Sequence, residues 1–180
     1  DQAERRAVKH LAARGAKVGL TGFCMGGAVT IIGAVHIPEI SAAVCFYGLP
    51  PESVAAAKDV RVPLQCHFAA QDDWVTPAAA ADFEKKLQAA GKQFEIHRYP
   101  GHHAFMNSER KEVYGADQAR QAWDRMVAFF GRHPRPASRA APGLPPEGPL
   151  VDRRPAGGHE PPGGAAAPRD PQAVGGRAPG

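Results

Sequence analysis

The sequence predicts an α/β protein with an open, doubly wound, mainly parallel sheet of about four strands and flanking helices. Two observations predict it. Short apolar runs alternate with amphipathic stretches from residue 1 to residue 132, as expected where helices cover a buried parallel sheet. The resulting order, helix-β-α-β-β-α-β-α, fits such a sheet lacking its first strands.

Residues 2–14 read as a helix with Ala7, Val8, Leu11 and Ala12 on one face, stopped by Gly15. Residues 18–23 read as a buried strand, and 25–35 as a small-residue helix ending before Pro38. Residues 42–47 and 62–69 supply the second and third strands. Thr76-Pro77 opens a helix, because Thr caps well and Pro suits the first helical position. That helix buries Phe83 and Leu87 and ends at Gly91. Residues 94–99 form the fourth strand. A final helix from Asp117 to Gly131 is expected to turn Trp123, Met126, Val127 and Phe130 inward.

Composition divides the chain. Residues 133–180 hold 12 Pro and 9 Gly, no aromatic residue, and only Leu144, Leu150, Val151 and Val174 as bulky aliphatics. Such a segment buries too little apolar surface to offset a backbone ordering cost of about 1–2 kcal/mol per residue. A partial domain at 1–132 and a disordered Pro/Gly/Ala/Arg-rich tail at 133–180 are therefore expected.

The net charge of +4 divides evenly, with six Arg against four acids in the tail and 16 basic against 14 acidic residues before it. The body has no basic stripe interleaved with aromatics, so nucleic-acid binding is not expected. Three cysteines without CxxC spacing argue against a disulfide framework and a structural zinc site. No run of about 20 apolar residues occurs, so no membrane partner is expected and cytoplasm is the default. The chain opens at Asp1 without methionine, consistent with a fragment.

In an open α/β sheet, ligands sit beyond the carboxyl ends of the strands, and three reactive segments follow predicted strands. Gly22-Phe23-Cys24-Met25-Gly26-Gly27 matches Gly-x-nucleophile-x-Gly, with cysteine in place of the commoner serine. The glycines let strand and helix approach closely across a strained turn. The helix N-terminus and the Met25 backbone amide favour negative charge on a thiolate or a developing oxyanion. Cys45 and Cys66, in mid-strand, read as small buried hydrophobes. Gln71-Asp72-Asp73-Trp74 offers two carboxylates, one able to orient a base and the other to cap or solvate the loop. Gly101-His102-His103-Ala104-Phe105 offers two imidazoles after the last strand. Nucleophile, acid, base is the chain order of α/β-hydrolases.

These segments resemble the dienelactone hydrolase family, the carboxymethylenebutenolidase-like enzymes with a cysteine nucleophile. The likeness runs over residues 5–131 and rests on the Gly-Phe-Cys-x-Gly-Gly elbow, the family's Asp-x-x-Val-Pro segment, here Asp72-Asp73-Trp74-Val75-Thr76-Pro77, and a Gly-x-His-x-Phe segment. The resemblance selects Asp72, three residues before Val75, and His103, one residue before Ala104-Phe105. It implies the C-terminal part of an α/β-hydrolase with a Cys24-His103-Asp72 triad and the Met25 amide as half of the oxyanion hole. The implied reaction is hydrolysis of a small ester or lactone through a thioester acyl-enzyme, with no metal or organic cofactor and a monomeric full-length protein. The family has many more residues before the nucleophile than the 23 here. By resemblance, those would supply a second oxyanion amide and a glutamate that helps ionise the thiol. Dienelactone-specific members also carry an arginine after the histidine segment. Asn107 stands there, with Arg110 nearby.

Three other readings remain at this level. One is an inert remnant, since one missing oxyanion donor costs about 10²–10³ in rate. Another is a metal module using His67, His97, His102, His103 and Asp72, although no recognised ligand spacing occurs. The third is a redox-sensing thiol at Cys24. With its elbow strand left as an open apolar edge, the chain alone is expected to be poorly soluble or nearly inactive.

Overall fold

A computed structural model describes residues 2–133. The remainder of the expected tail lies outside the described residues. The elements are α1 (Gln2–Ala12), β1 (Val18–Phe23), α2 (Met25–His36), β2 (Ile40–Phe46), β3 (Leu64–Gln71), α3 (Pro77–Ala89), β4 (Phe94–His102) and α4 (Ala116–Arg132), with one 3₁₀ turn at Ala57–Asp59. The four strands are all parallel, in the spatial order β1-β2-β3-β4.

Strand alternation sends β2 side chains to two cores. On one face Ala43 and Cys45 pack with Ile31 and Val35 of α2 and Phe83 and Leu87 of α3. On the other, Ala42, Val44 and Phe46 pack with Ala122, Met126 and Phe129 of α4. Helices thus cover both faces, which makes the sheet doubly wound. Val8 of α1 closes a third cluster with Val18, Ile37 and Ile40.

Several expectations need correction. β1 is not a buried strand. It lies at the sheet edge, with Val18 buried but Gly19, Thr21 and Phe23 exposed. In α1 only Val8 is buried, and Leu11 faces solvent. In α4, Trp123 and Val127 are each 53% exposed, while Ala119, Ala122, Met126 and Phe129 meet the core. The helix has two apolar faces, and the sheet side is the one on which Ala119 and Ala122 let the helix approach closely while Met126 and Phe129 fill the space beside them. Phe130 is half-buried, and its ring covers Gly19 so closely that a Cβ there would lie 2.6 Å away. β4 also runs three residues past the expected Tyr99. Pro100 is tolerated there because β4 is an edge strand.

Register carries the fold toward the reactive end. Phe23 pairs with Phe46, Phe46 with His67, and His67 with His97 across the four strands. Their rings stack at 4.5, 4.5 and 5.3 Å between centroids. The residues just beyond this ladder therefore emerge on one rim.

Candidate active site

Cys24 is the hinge between β1 and α2, with φ 57° and ψ −119°. A non-glycine residue in that region stores about 1–3 kcal/mol of strain, which persists only where the surroundings over-determine it. Here they do. The Cys24 amide donates to the Phe46 carbonyl at 3.0 Å, and the Cys24 carbonyl accepts from Gly27 N at 2.9 Å. A Cβ on Gly22 would meet Gly26 O at 2.2 Å, and one on Gly48 would meet Cys24 O at 2.2 Å. Glycine is needed at both places for close approach. Cys24 is exposed at the apex, and Met25 is the first residue of α2.

Asp72 follows β3 and is buried, whereas Asp73 is exposed. Asp72 Oδ1 accepts from the backbone amides of Trp74 at 2.8 Å and Val75 at 2.9 Å. The other oxygen lies 2.8 Å from His103 Nδ1, with the two side chains 0% and 15% exposed. A carboxylate only accepts, so Nδ1 carries the proton. The Nε2 atom is then left facing Cys24 Sγ at 3.0 Å. Of the two adjacent histidines, His102 ends β4 exposed, and His103 turns inward between Tyr47 and Trp74, whose rings lie 5.1 and 6.2 Å away. The rim thus brings together Cys24, Asp72 and His103, which lie 79 and 31 positions apart in the pairs they form.

Beside Cys24 opens a cavity of about 460 Å³ lined by Phe23, Tyr47, Ala104, Met106, Asn107 and Trp123. Sequence reasoning missed most of this wall. Helical spacing places Trp123 in the core, and the apolar run of residues 42–47 places Tyr47 at the end of a strand. Tyr47 and Ala104 share with Cys24 a positive φ, of 39° and 64°, a signal visible only in the backbone. Burial holds the Tyr47 phenol well above its ordinary pKa, with the Cys24 sulfur a smaller contribution, so its hydroxyl stays neutral. Asn107 lines the cavity, but Arg110 does not and pairs with Glu112 at 3.0 Å.

The other candidate metal ligands are occupied elsewhere. His67 lies between Gln65 and Tyr99, each at 2.8 Å, and His97 lies 3.4 Å from Glu95. Among the described residues, no three His, Cys, Asp or Glu side chains converge as a metal site. Cys45 and Cys66 are buried, as expected of small hydrophobes. No helix among the described residues is long and apolar enough to cross a membrane.

A helix-covered parallel sheet with a strained cysteine turn after one strand, and a carboxylate and an imidazole after later ones, has the layout of the α/β-hydrolase class. Within that class the chain belongs to the dienelactone hydrolase family, whose model matches residues 1–134. It is 39% identical over 116 residues to "Protein usf" of Aquifex pyrophilus, a match covering 63% of this chain and 50% of that one. It is 35% identical, with the same coverage, to a protein of Aquifex aeolicus named "Putative carboxymethylenebutenolidase". Among solved structures, one described as a "Putative Dienelactone Hydrolase" from Klebsiella pneumoniae superposes with a TM-score of 0.59 at 32% identity, covering 63% of this chain and 51% of that one. The chain spans about half the length of the curated relatives it matches.

Proposed function

We propose that the protein hydrolyses a small-molecule ester or lactone through Cys24, His103 and Asp72. Membership of the dienelactone hydrolase family supports hydrolysis. The observation that carries the residue roles is the single imidazole bridging a thiol at 3.0 Å and a buried carboxylate at 2.8 Å. Distances in this range suit proton transfer in both directions.

In this reading His103 Nε2 takes the Cys24 proton, and the sulfur attacks the substrate carbonyl carbon. The resulting oxyanion is met by the Met25 amide at the start of α2. The C–O bond breaks, the alcohol leaves with the proton from His103, and a thioester remains on Cys24. Water then gives a proton to His103 and attacks the thioester, releasing the acid and the thiol. Asp72 fixes the imidazole tautomer throughout.

The test is intact-mass spectrometry of the chain after brief exposure to 4-nitrophenyl acetate. We expect one acetyl group, mapped to Cys24, that disappears with time as nitrophenolate and acetate accumulate. Cys24→Ala should lower ester turnover by about 10³-fold or more. Unchanged turnover in that variant would remove the proposal, as would an acyl group mapped elsewhere.

A further inference from the structure

We infer that the cavity beside Cys24 selects esters whose recognised group is uncharged and apolar, about the size of an aromatic ring, and excludes esters bearing a carboxylate there. The inference rests on Cys24 as the attacking group and names the substrate class of that site.

The wall is built of aromatic and thioether surface, namely Phe23, Tyr47, Met106 and Trp123, which come from four separate segments of the chain. A volume of about 460 Å³ lies within the roughly 300–1,000 Å³ typical of small-molecule sites. The polar side-chain groups on the wall other than Cys24, those of Tyr47, Asn107 and Trp123, are all neutral. Burial keeps the Tyr47 hydroxyl protonated. Asn107 Oδ1 is held by the Glu109 amide at 3.1 Å, which leaves the Asn107 amide nitrogen as the donor this residue offers. A neutral ester oxygen suits that donor.

A carboxylate would be poorly received. It would lose water without a cation in return, and the faces of aromatic rings are electron-rich and repel anions. The cation nearest in sequence, Arg110, is paired with Glu112 and stands outside the wall. The buried Asp72 behind His103 adds negative charge of its own. Among the described residues no cation lines the cavity, the α2 N-terminus is engaged by the reacting sulfur and oxyanion, and the apolar wall supplies the attraction.

Trp123 allows a clean test, because it is 53% exposed and packs no core. The 180-residue chain is treated with phenacyl bromide or with 4-carboxyphenacyl bromide. Each rate of Cys24 alkylation is divided by the rate with N-acetylcysteine, and the labelled position is read by mass spectrometry. Cys45 and Cys66 are buried and do not compete. The neutral reagent should be favoured by at least about tenfold. Trp123→Ala should reduce that preference, and W123R should shift it toward the anionic reagent. Equal normalised rates, a preference for the carboxylate, or indifference to both Trp123 variants would overturn the inference. The readout needs no turnover. Selective labelling without ester hydrolysis would spare the cavity inference and remove the hydrolase reading, and hydrolysis without selectivity would do the reverse.

Discussion

Asp72 performs two separable tasks with its two oxygens. One oxygen gathers the Trp74 and Val75 amides into a turn, and the other faces the His103 ring. In Asp72→Asn the amide oxygen still serves the turn, but an NH₂ group now confronts Nδ1. The ring must then accept there and carry its proton on Nε2, where it can no longer take one from sulfur. Activity should fall by about 10⁴-fold with the melting temperature nearly unchanged. Asp72→Ala should lose the same activity and also about 1–3 kcal/mol of stability, because two amides lose their acceptor. Calorimetry beside ester kinetics on the two variants separates the tasks. Equal stability loss in both variants would mean that the Asn side chain does not maintain the turn.

At the scale of elements, the seating of α4 on the sheet depends on a chain of polar groups that runs from exposed Arg125 through buried Tyr99, His67 and Gln65 to half-buried Glu95. Arg125 donates to the Tyr99 hydroxyl at 3.0 Å, Tyr99 donates to His67 Nδ1 at 2.8 Å, and His67 Nε2 donates to Gln65 Oε1 at 2.8 Å. Gln65 in turn donates to Glu95 at 2.7 Å, which fixes the direction of every proton in the chain. This order leaves His67 one proton only. Burial, with help from His97 and Arg125, lowers its pKa to about 3. An unfolded histidine titrates near 6.5. Between those values the unfolded chain binds more protons, so this contribution is intact above about 6.5 and is lost as pH falls toward 3. Urea unfolding midpoints should therefore decline from pH 7 to pH 4, and the decline should be shallower in His67→Phe. A parallel decline in both proteins would assign the acid sensitivity to other groups. The same helix explains where sequence reading failed. Trp123, Met126, Val127 and Phe130 are bulky apolar residues at helical spacing, but only Met126 and Phe130 of these reach the sheet side, where Ala119, Ala122 and Phe129 join them. Periodicity reveals that a helix has an apolar stripe, but a helix with two such stripes needs its neighbours to decide between them. Strand positions were legible to within a few residues because each apolar run is short and bounded by Gly or Pro. The wall of the cavity was not, because its members come from loops and strand ends that meet only in space.

For the molecule as a whole, the exposed sheet edge is the dominant feature. The outer side of β1 has no partner strand among the described residues, and Phe23 is 41% exposed at its end. Such an edge is a template for pairing with another chain. The 180-residue chain should self-associate increasingly across about 1–100 μM, as sedimentation velocity would record. A monomer throughout that range would contradict this expectation. The three proposed catalytic side chains were legible because each follows a strand in the expected order, and the choice of Asp72 over Asp73 and of His103 over His102 coincides with which member of each pair turns inward. The sulfur, the imidazole and the carboxylate follow β1, β4 and β3, and β2 separates the first of these from the other two. No two-stranded fragment can therefore assemble the group. Catalysis by the proposed triad would be a readout of the complete four-strand array, and a slipped register anywhere across it would silence that catalysis while leaving most of the secondary structure in place.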